Sequence, residues 1–299
     1  MKKQVILALS VIAMCILTGC ANVDITITPK GNLLRDLEKA NTYTEIYEKN
    51  GSFRVDVFGT HADGTKDDYS VYYEGDTYVS VNKYGTEIDD HGDVYGFDTE
   101  QDTPFKYLFF GDAYETYRNT YEMGANFAYF DSEKIVSREE KEGKLFLNTE
   151  SPTEALRYNL ESWGFDPDTV EKVVTEYIID SDSLLIEDTK AYAVVDGKKN
   201  LYSDTVLVLD SDEFVPDKII TDAITSTDTR TITVIADPGT ADEKEYKETI
   251  KKGGVVFIQV PSGYDGTLYD DSECTVVHAP VPDKNSDSTV YVKRDANAQ

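Results

Sequence analysis

Ser52-Phe53-Arg54-Val55-Asp56-Val57-Phe58 alternates apolar and polar side chains, with Phe53, Val55 and Val57 in step. Successive side chains of a strand point to opposite faces, so this period of two predicts a strand with one covered side. Upstream the period is different. Over residues 31–50, Leu33, Leu34, Leu37, Ala40 and Tyr43 or Tyr47 recur at spacings of three and four. That predicts one amphipathic helix, with Asn32 as N-cap and Asn50-Gly51 as its stop. Downstream the period of two returns over 67–74 and 77–83, joined by the two-residue connection Gly75-Asp76. A short strand is predicted at 94–97, and a hairpin over 134–138 and 144–148 across Glu142-Gly143.

Residues 151–163 read as a second helix. Ser151 is placed as N-cap, Pro152 at the first position and Glu154 as the closing residue of a capping box. Leu156, Leu160 and Trp163 form its apolar face, Gly164 ends it, and 168–174 adds a turn or two. Strands follow at 175–179, 184–186, 190–195 and 203–209, with Asp196-Gly197 as the turn between the last pair. The fold class is therefore α+β, an antiparallel meander with packed helices.

The chain has 299 residues, 29 Lys+Arg, 57 Asp+Glu and a net charge of -28, with 40% hydrophobic residues. That apolar share belongs to a folded chain and not to an acidic polymer. Nucleic acid is excluded as a partner, because binding it needs basic patches that release counterions. The acidity is concentrated: residues 51–228 carry 15 basic and 40 acidic side chains. Thirteen of the 21 tyrosines fall between Tyr43 and Tyr129. Two readings compete: carboxylates decorate solvated strand faces while tyrosines pack their rings and keep hydroxyls wet, or the aromatics line a carbohydrate or peptide groove or a cation site.

The first twenty residues predict the location. Lys2 and Lys3 precede an apolar run over 5–17, too short to span a bilayer comfortably. The run ends in Leu17-Thr18-Gly19-Cys20, which resembles the bacterial lipobox. The resemblance implies cleavage between Gly19 and Cys20, and a diacylglyceryl group on the Cys20 thiol. Residues 1–19 are then a signal peptide and 20–30 a lipidated tether. Acyl chains, at about 0.8 kcal/mol per buried CH₂, would hold the protein to an extracytoplasmic membrane surface. Cys15 would leave with the signal, so Cys274 stays as the free thiol, read as a small packing residue.

The order of elements over 31–225, a helix leading into a meander interrupted by a helical insert, resembles the LolA/LolB and LppX class of lipoprotein-carrier folds. There a curved antiparallel half-barrel closes over helices and encloses an apolar cavity. The resemblance implies an apolar or lipidic ligand and assigns no residue to binding it.

The C-terminal stretch carries its own motifs. Thr231-Ile232-Thr233-Val234 is followed by Lys251-Lys252-Gly253-Gly254 and Pro261-Ser262-Gly263-Tyr264. Tyr269-Asp270-Asp271-Ser272-Glu273-Cys274-Thr275 and Ser286-Asp287-Ser288-Thr289-Val290-Tyr291-Val292-Lys293 complete the series. Over 229–294 this resembles the internalin B-repeat (Listeria-Bacteroides repeat) family of small β-grasp modules. It departs from that family where the central Gly-Trp-Tyr is replaced by Gly266-Thr267-Leu268-Tyr269 and the final Trp by Arg294.

Chemical signatures are absent: no HExxH, Walker loop, GxSxG, SxxK or dinucleotide fingerprint occurs. His61, His91 and His278 are far apart in sequence. Asp180-Ser181-Asp182 and Asp210-Ser211-Asp212-Glu213 imitate half a calcium loop, but without the glycine and closing glutamate of an EF-hand. Asp63-Gly64 and Asp89-Asp90-His91-Gly92-Asp93 read as turns. The expectation is a non-enzymatic, membrane-anchored surface lipoprotein with no cofactor and no metal. Its central domain binds an apolar or lipid ligand; the alternative is an adhesion or assembly protein that binds protein or carbohydrate through its acidic, Tyr-rich surface.

Overall fold

The computed structural model describes residues 32–75, 77–124, 133–211, 214–278 and 284–295. Leu17, Thr18, Gly19 and Cys20 of the lipobox, the rest of the signal, the tether, Asp76 and Asp212-Glu213 lie outside that set.

In chain order the elements open with α1 (Asn32–Ala40), α2 (Tyr43–Asn50), β1 (Phe53–Thr60), β2 (Lys66–Glu74) and β3 (Thr77–Asn82). Next come β4 (Gly85–Asp90), β5 (Asp93–Asp98), β6 (Thr103–Phe109), α3 (Ala113–Gly124), β7 (Lys134–Lys141) and β8 (Lys144–Ser151). A 3-10 turn (Thr153–Leu156) leads to α4 (Arg157–Ser162), β9 (Lys172–Asp180), β10 (Ile186–Val195) and β11 (Lys198–Leu209). The chain ends with α5 (Lys218–Ile224), β12 (Thr229–Ala236), β13 (Lys244–Lys251), β14 (Val255–Gln259) and β15 (Ser288–Val292). The class is α+β, mostly antiparallel sheet with short helices.

Contacts divide the described residues into two units, those of Met1–Lys83 with Thr120–Phe214, and those of Tyr84–Asn119 with Val215–Gln299. Residues 84–119 group with 215–299 through β6 and β14. They pair in parallel, Val255 with Phe105 through Gln259 with Phe109. Leu108 and Phe110 are buried with Val234, Ala236, Val290 and Val292.

In the first unit the strand order is β3-β2-β1-β11-β10-β9-β8-β7, and every neighbour is antiparallel. The alternation read at 52–58 holds: Phe53, Val55 and Val57 are buried, opposite Leu209, Leu207 and Thr205 of β11. The single helix expected over 31–50 is two. Asn41 is fully buried, its Nδ2 donating to Leu37 O and Leu184 O and its Oδ1 accepting from Ile186 N, all at 2.8 Å. Binding to the sheet takes Asn41 out of the helix, and Thr42 opens α2 by accepting from Glu45 N at 3.3 Å. Gly51 stops α2 at φ 75, as read.

The helix expected over 151–163 also starts later. Ser151 is the buried last residue of β8, paired with Val173, so it cannot be a cap. Pro152 precedes the 3-10 turn without a side-chain cap, and Glu154 pairs with Arg157 at 3.2 Å. Sheet pairing outcompeted the local capping signal. Likewise 168–174 gives turns and then β9 in place of helix, because Val173 and Val174 are drawn into the ladder with Ala193 and Tyr192. Of the strand expected at 184–186 only Ile186 is in β10, which continues through 190–195 with a register shift between Ile186 and Asp188; Leu184 stands at φ 61 in the preceding turn. The turns at Glu142-Gly143 and Asp196-Gly197 both have positive φ, as a two-residue hairpin connection requires.

The second unit has a four-stranded sheet, β14-β6-β5-β4, and a three-stranded one, β13-β12-β15, in which β12 runs antiparallel to β13 and parallel to β15. One face of β6 and β14 joins the three-stranded sheet through Leu108, Val256 and Ile258. The other carries Phe105, Tyr107 and Phe257, whose rings lie 5.4–5.9 Å apart.

Candidate functional site

The covered face of the first unit can be read across its strands from the register. One row runs Thr149, Thr175, Ala191, Ser203 over β8, β9, β10 and β11. The next runs Leu147, Tyr177, Thr189, Thr205 and, on β1, Val57. Farther along, Leu207, Val55, Val71 and Ser80 share the same face. Apolar clusters lie at either side of this hydroxyl band. One contains Leu34, Leu37, Leu145, Leu147, Tyr177 and Ile179; the other contains Leu160, Val170, Val173, Ala193 and Tyr202.

Four oxygens of this region are buried without a hydrogen-bond partner: Ser80 Oγ, Thr149 Oγ1, Thr189 Oγ1 and Glu133 Oε2. Thr149 has no exposure at all. Glu133 directly precedes β7, and its Oε1 accepts from the Tyr177 hydroxyl at 2.8 Å. Burial pushes the Glu133 carboxyl up to about 7, against the opposing pull of the Thr149 and Tyr177 hydroxyls beside it. The Thr149 hydroxyl stays short of hydrogen-bond geometry. A buried polar group left without a partner costs about 1–3 kcal/mol.

On the same unit, Ser52, Tyr72, Tyr73, Val79, Ser211 and Phe214 line a concavity of about 30 Å³. That is room for a water or two. Pockets for small-molecule ligands run to roughly 300–1,000 Å³.

The second unit holds two fully buried carboxylates, Glu87 and Asp89, on one face of β4. Gly96 sits opposite Glu87 on β5, and a Cβ there would lie 2.5 Å from the Phe105 ring. The missing side chain lets β6 aromatics reach across, and Tyr107 OH donates to Glu87 Oε2 at 3.0 Å. From α3, Tyr117 OH donates to Glu87 Oε1 at 2.8 Å. Asp89 accepts from Gly92 N at 2.9 Å, Tyr114 OH at 3.1 Å and Arg118 Nη1 at 3.4 Å. Burial raises the Asp89 carboxyl, while Gly92 N–H and Arg118 oppose it. These groups anchor a helix to a sheet, and each acid is engaged.

The residues singled out from sequence are dispersed. Cys274 is buried at φ 52, and burial pushes its thiol up, away from the thiolate a nucleophile needs. His278 Nδ1 lies 2.5 Å from Asp270 Oδ1, His91 Nδ1 2.7 Å from Asp90 Oδ1, and the His61 ring 5.0 Å from that of Trp163. Asp180 caps a turn, accepting from Ser183 N and Oγ, which hold its carboxyl at about 2. Among the described residues no group of three acidic, His or Cys side chains is arranged to hold a metal ion. Nor is any described helix long and apolar enough to cross a membrane. The turn at 89–93 forms as read, but the same Asp89 is a buried anchor; the i, i+2 spacing of Glu87 and Asp89 on a strand was the missed signal. Glu133 offered none, because its burial depends on β8 and β9.

No protein-family model matches this chain, and no curated protein matches it. Among solved structures it is similar to an uncharacterized conserved protein from Thermus thermophilus, at 8% identity, covering 62% of this chain and 94% of that one, with a TM-score of 0.33. LprF from Mycobacterium bovis is 10% identical over 62% of this chain and 94% of its own, with a TM-score of 0.30. A LolA superfamily protein from Nitrosomonas europaea is 14% identical over 63% and 95%, with a TM-score of 0.23. Similarities at this level carry no argument about function.

Proposed function

We propose that this chain is an extracytoplasmic lipoprotein without catalytic activity, held at its membrane through Cys20, whose first unit takes an apolar or lipidic ligand. The single observation supporting ligand binding is the band of buried, unpartnered oxygens between two apolar clusters. An amphipathic ligand matches it, with polar groups for Thr149, Thr189 and Glu133 and an apolar body for the flanking clusters. Native mass spectrometry of the soluble chain beginning at Ala21 tests the reading. Co-purifying lipid is the expected result, and a clean ligand-free mass from gentle extraction defeats it. The anchor has its own test: Cys20→Ser should release the chain from membranes or leave it unprocessed. Membrane retention with normal signal cleavage would overturn the lipobox assignment.

The small concavity favours a second reading. With about 30 Å³ open at its lining, an acyl chain enters only if side chains move aside. An adhesion or assembly protein needs no such opening; its acidic, Tyr-rich surface would meet a protein or carbohydrate partner directly. In both readings we place 229–294 as a β-grasp module of the internalin B-repeat kind, serving as spacer or contact surface. The antiparallel β12–β13 and parallel β12–β15 pairings support that assignment.

A further inference from the structure

We infer that the hydrogen bond from Tyr177 to Glu133 is a proton-operated latch that fastens edge strand β7 to β9. This needs no ligand and goes beyond the binding reading.

In the first unit β7 ends the strand order and, among the described residues, pairs with β8 alone. Its side chains are almost all exposed, so little apolar burial retains it. Ile135, packed against the cluster around Leu37 and Leu147, is the apolar exception. Glu133, one residue ahead of the strand, is the polar one. Its Oε1 receives the Tyr177 hydroxyl, and its Oε2 is buried. Edge strands with few buried contacts are where local opening starts.

The contact depends on the charge of one group. Among the described residues the titratable side chains facing Glu133 are Tyr177 of β9 and Tyr202 of β11, and burial raises both phenols above their ordinary value. They stay neutral through the physiological range. No Lys, Arg or His among the described residues offsets a charge on Glu133. Its carboxyl, pushed by burial up to about 7, therefore loses its proton into a site with hydroxyl donors and no cation.

The sign follows from linkage. Released into water, Glu133 returns towards the ordinary glutamate value, so the open form holds fewer protons than the latched one between roughly pH 4.5 and 7. Opening becomes roughly tenfold easier per pH unit in that window and levels off above it. The latch is closed in acid and loosened at neutral and higher pH.

Amide hydrogen exchange of the full chain in detergent micelles, read by mass spectrometry at pH 5, 6, 7 and 8 and corrected for intrinsic rates, tests this. Protection of 134–141 should fall by roughly tenfold per unit from pH 5 to 7, while that of β9 and β10 holds. Glu133→Gln should keep β7 protected at every pH. Tyr177→Phe, which removes a donor to the carboxylate, should shift the change to higher pH and covers the case of a glutamine variant that fails to fold. Protection of 134–141 that is flat across the range, that falls equally in β9, or that keeps its pH dependence in Glu133→Gln overturns the latch.

Discussion

The hydroxyl of Tyr117 on α3 donates to the fully buried Glu87 carboxylate of β4 at 2.8 Å. A typical hydrogen bond contributes about 0.5–1.5 kcal/mol, and a buried acceptor left without its donor costs about 1–3 kcal/mol. Tyr117→Phe keeps the ring packed at a tilt near Phe109 and Tyr107 and deletes only the hydroxyl. It should lower the unfolding free energy by about 2 kcal/mol in urea titration. A loss under about 0.5 kcal/mol would mean the carboxylate is sufficiently served by Tyr107.

Arg118 forms an ion pair with buried Asp89, at 3.4 Å. Arg118→Met retains the stem and removes the charge, leaving Asp89 with hydroxyl and backbone donors. The cost at neutral pH should be about 3 kcal/mol. The folded Asp89 carboxyl is already raised by burial. A raised carboxyl penalises the fold above its folded pKa and stops doing so once protonated. The deficit should therefore be full at pH 8 and shrink as pH falls through the raised value, read from melting temperature against pH. A deficit of equal size at pH 8 and pH 4 would show that Arg118 contributes packing and not charge.

Asn41 ties the first helices to the sheet through three hydrogen bonds reaching Leu37, Leu184 and Ile186. Asn41→Ala leaves Ile186 N–H and Leu184 C=O buried without their partner, and should cost about 2–4 kcal/mol by chemical denaturation. Asn41→Leu, favouring an unbroken helix, should fare no better, because the polar groups of 184–186 remain unpaired.

That residue also marks how far the sequence could be read. Periods and turns are local, so β1, the Glu142-Gly143 and Asp196-Gly197 hairpins and the Gly51 stop were legible at 52–58 and at the glycines themselves. The helix break at Asn41 was not, because the cause lies 143 residues away at Leu184. Ser151 shows the same limit: a good capping signature yields when its residue is the end of a paired strand. β4 escaped notice because Glu87 and Asp89 occupy its covered side, and the apolar alternation that announces a strand is replaced there by buried acids. The grouping of 84–119 with the C-terminal strands was hidden for a similar reason. β6 carries Phe105, Tyr107 and Phe109 on one face and Leu108 beside Lys106 on the other, and nothing in 103–109 names β14 as its partner. For the candidate site, composition gave the acidity, but which carboxylates are buried depended on strands distant in sequence.

Trp163 is the single tryptophan, and its ring lies over Gly59 of β1. A Cβ at Gly59 would stand 2.3 Å from Trp163 Cη2 and 2.6 Å from Asp67 O, closer than side chains tolerate. The backbone there is ordinary strand, so the glycine is required by this approach and not by its dihedrals. Gly59→Ala should displace the indole and cost about 1–3 kcal/mol through overpacking. Because the protein has no other tryptophan, the displacement is directly visible as a change in emission maximum and quenching by iodide. Trp163→Phe in the same background should recover part of the stability by shortening the ring. An unshifted emission spectrum together with wild-type melting in Gly59→Ala would show that the indole does not rest on β1.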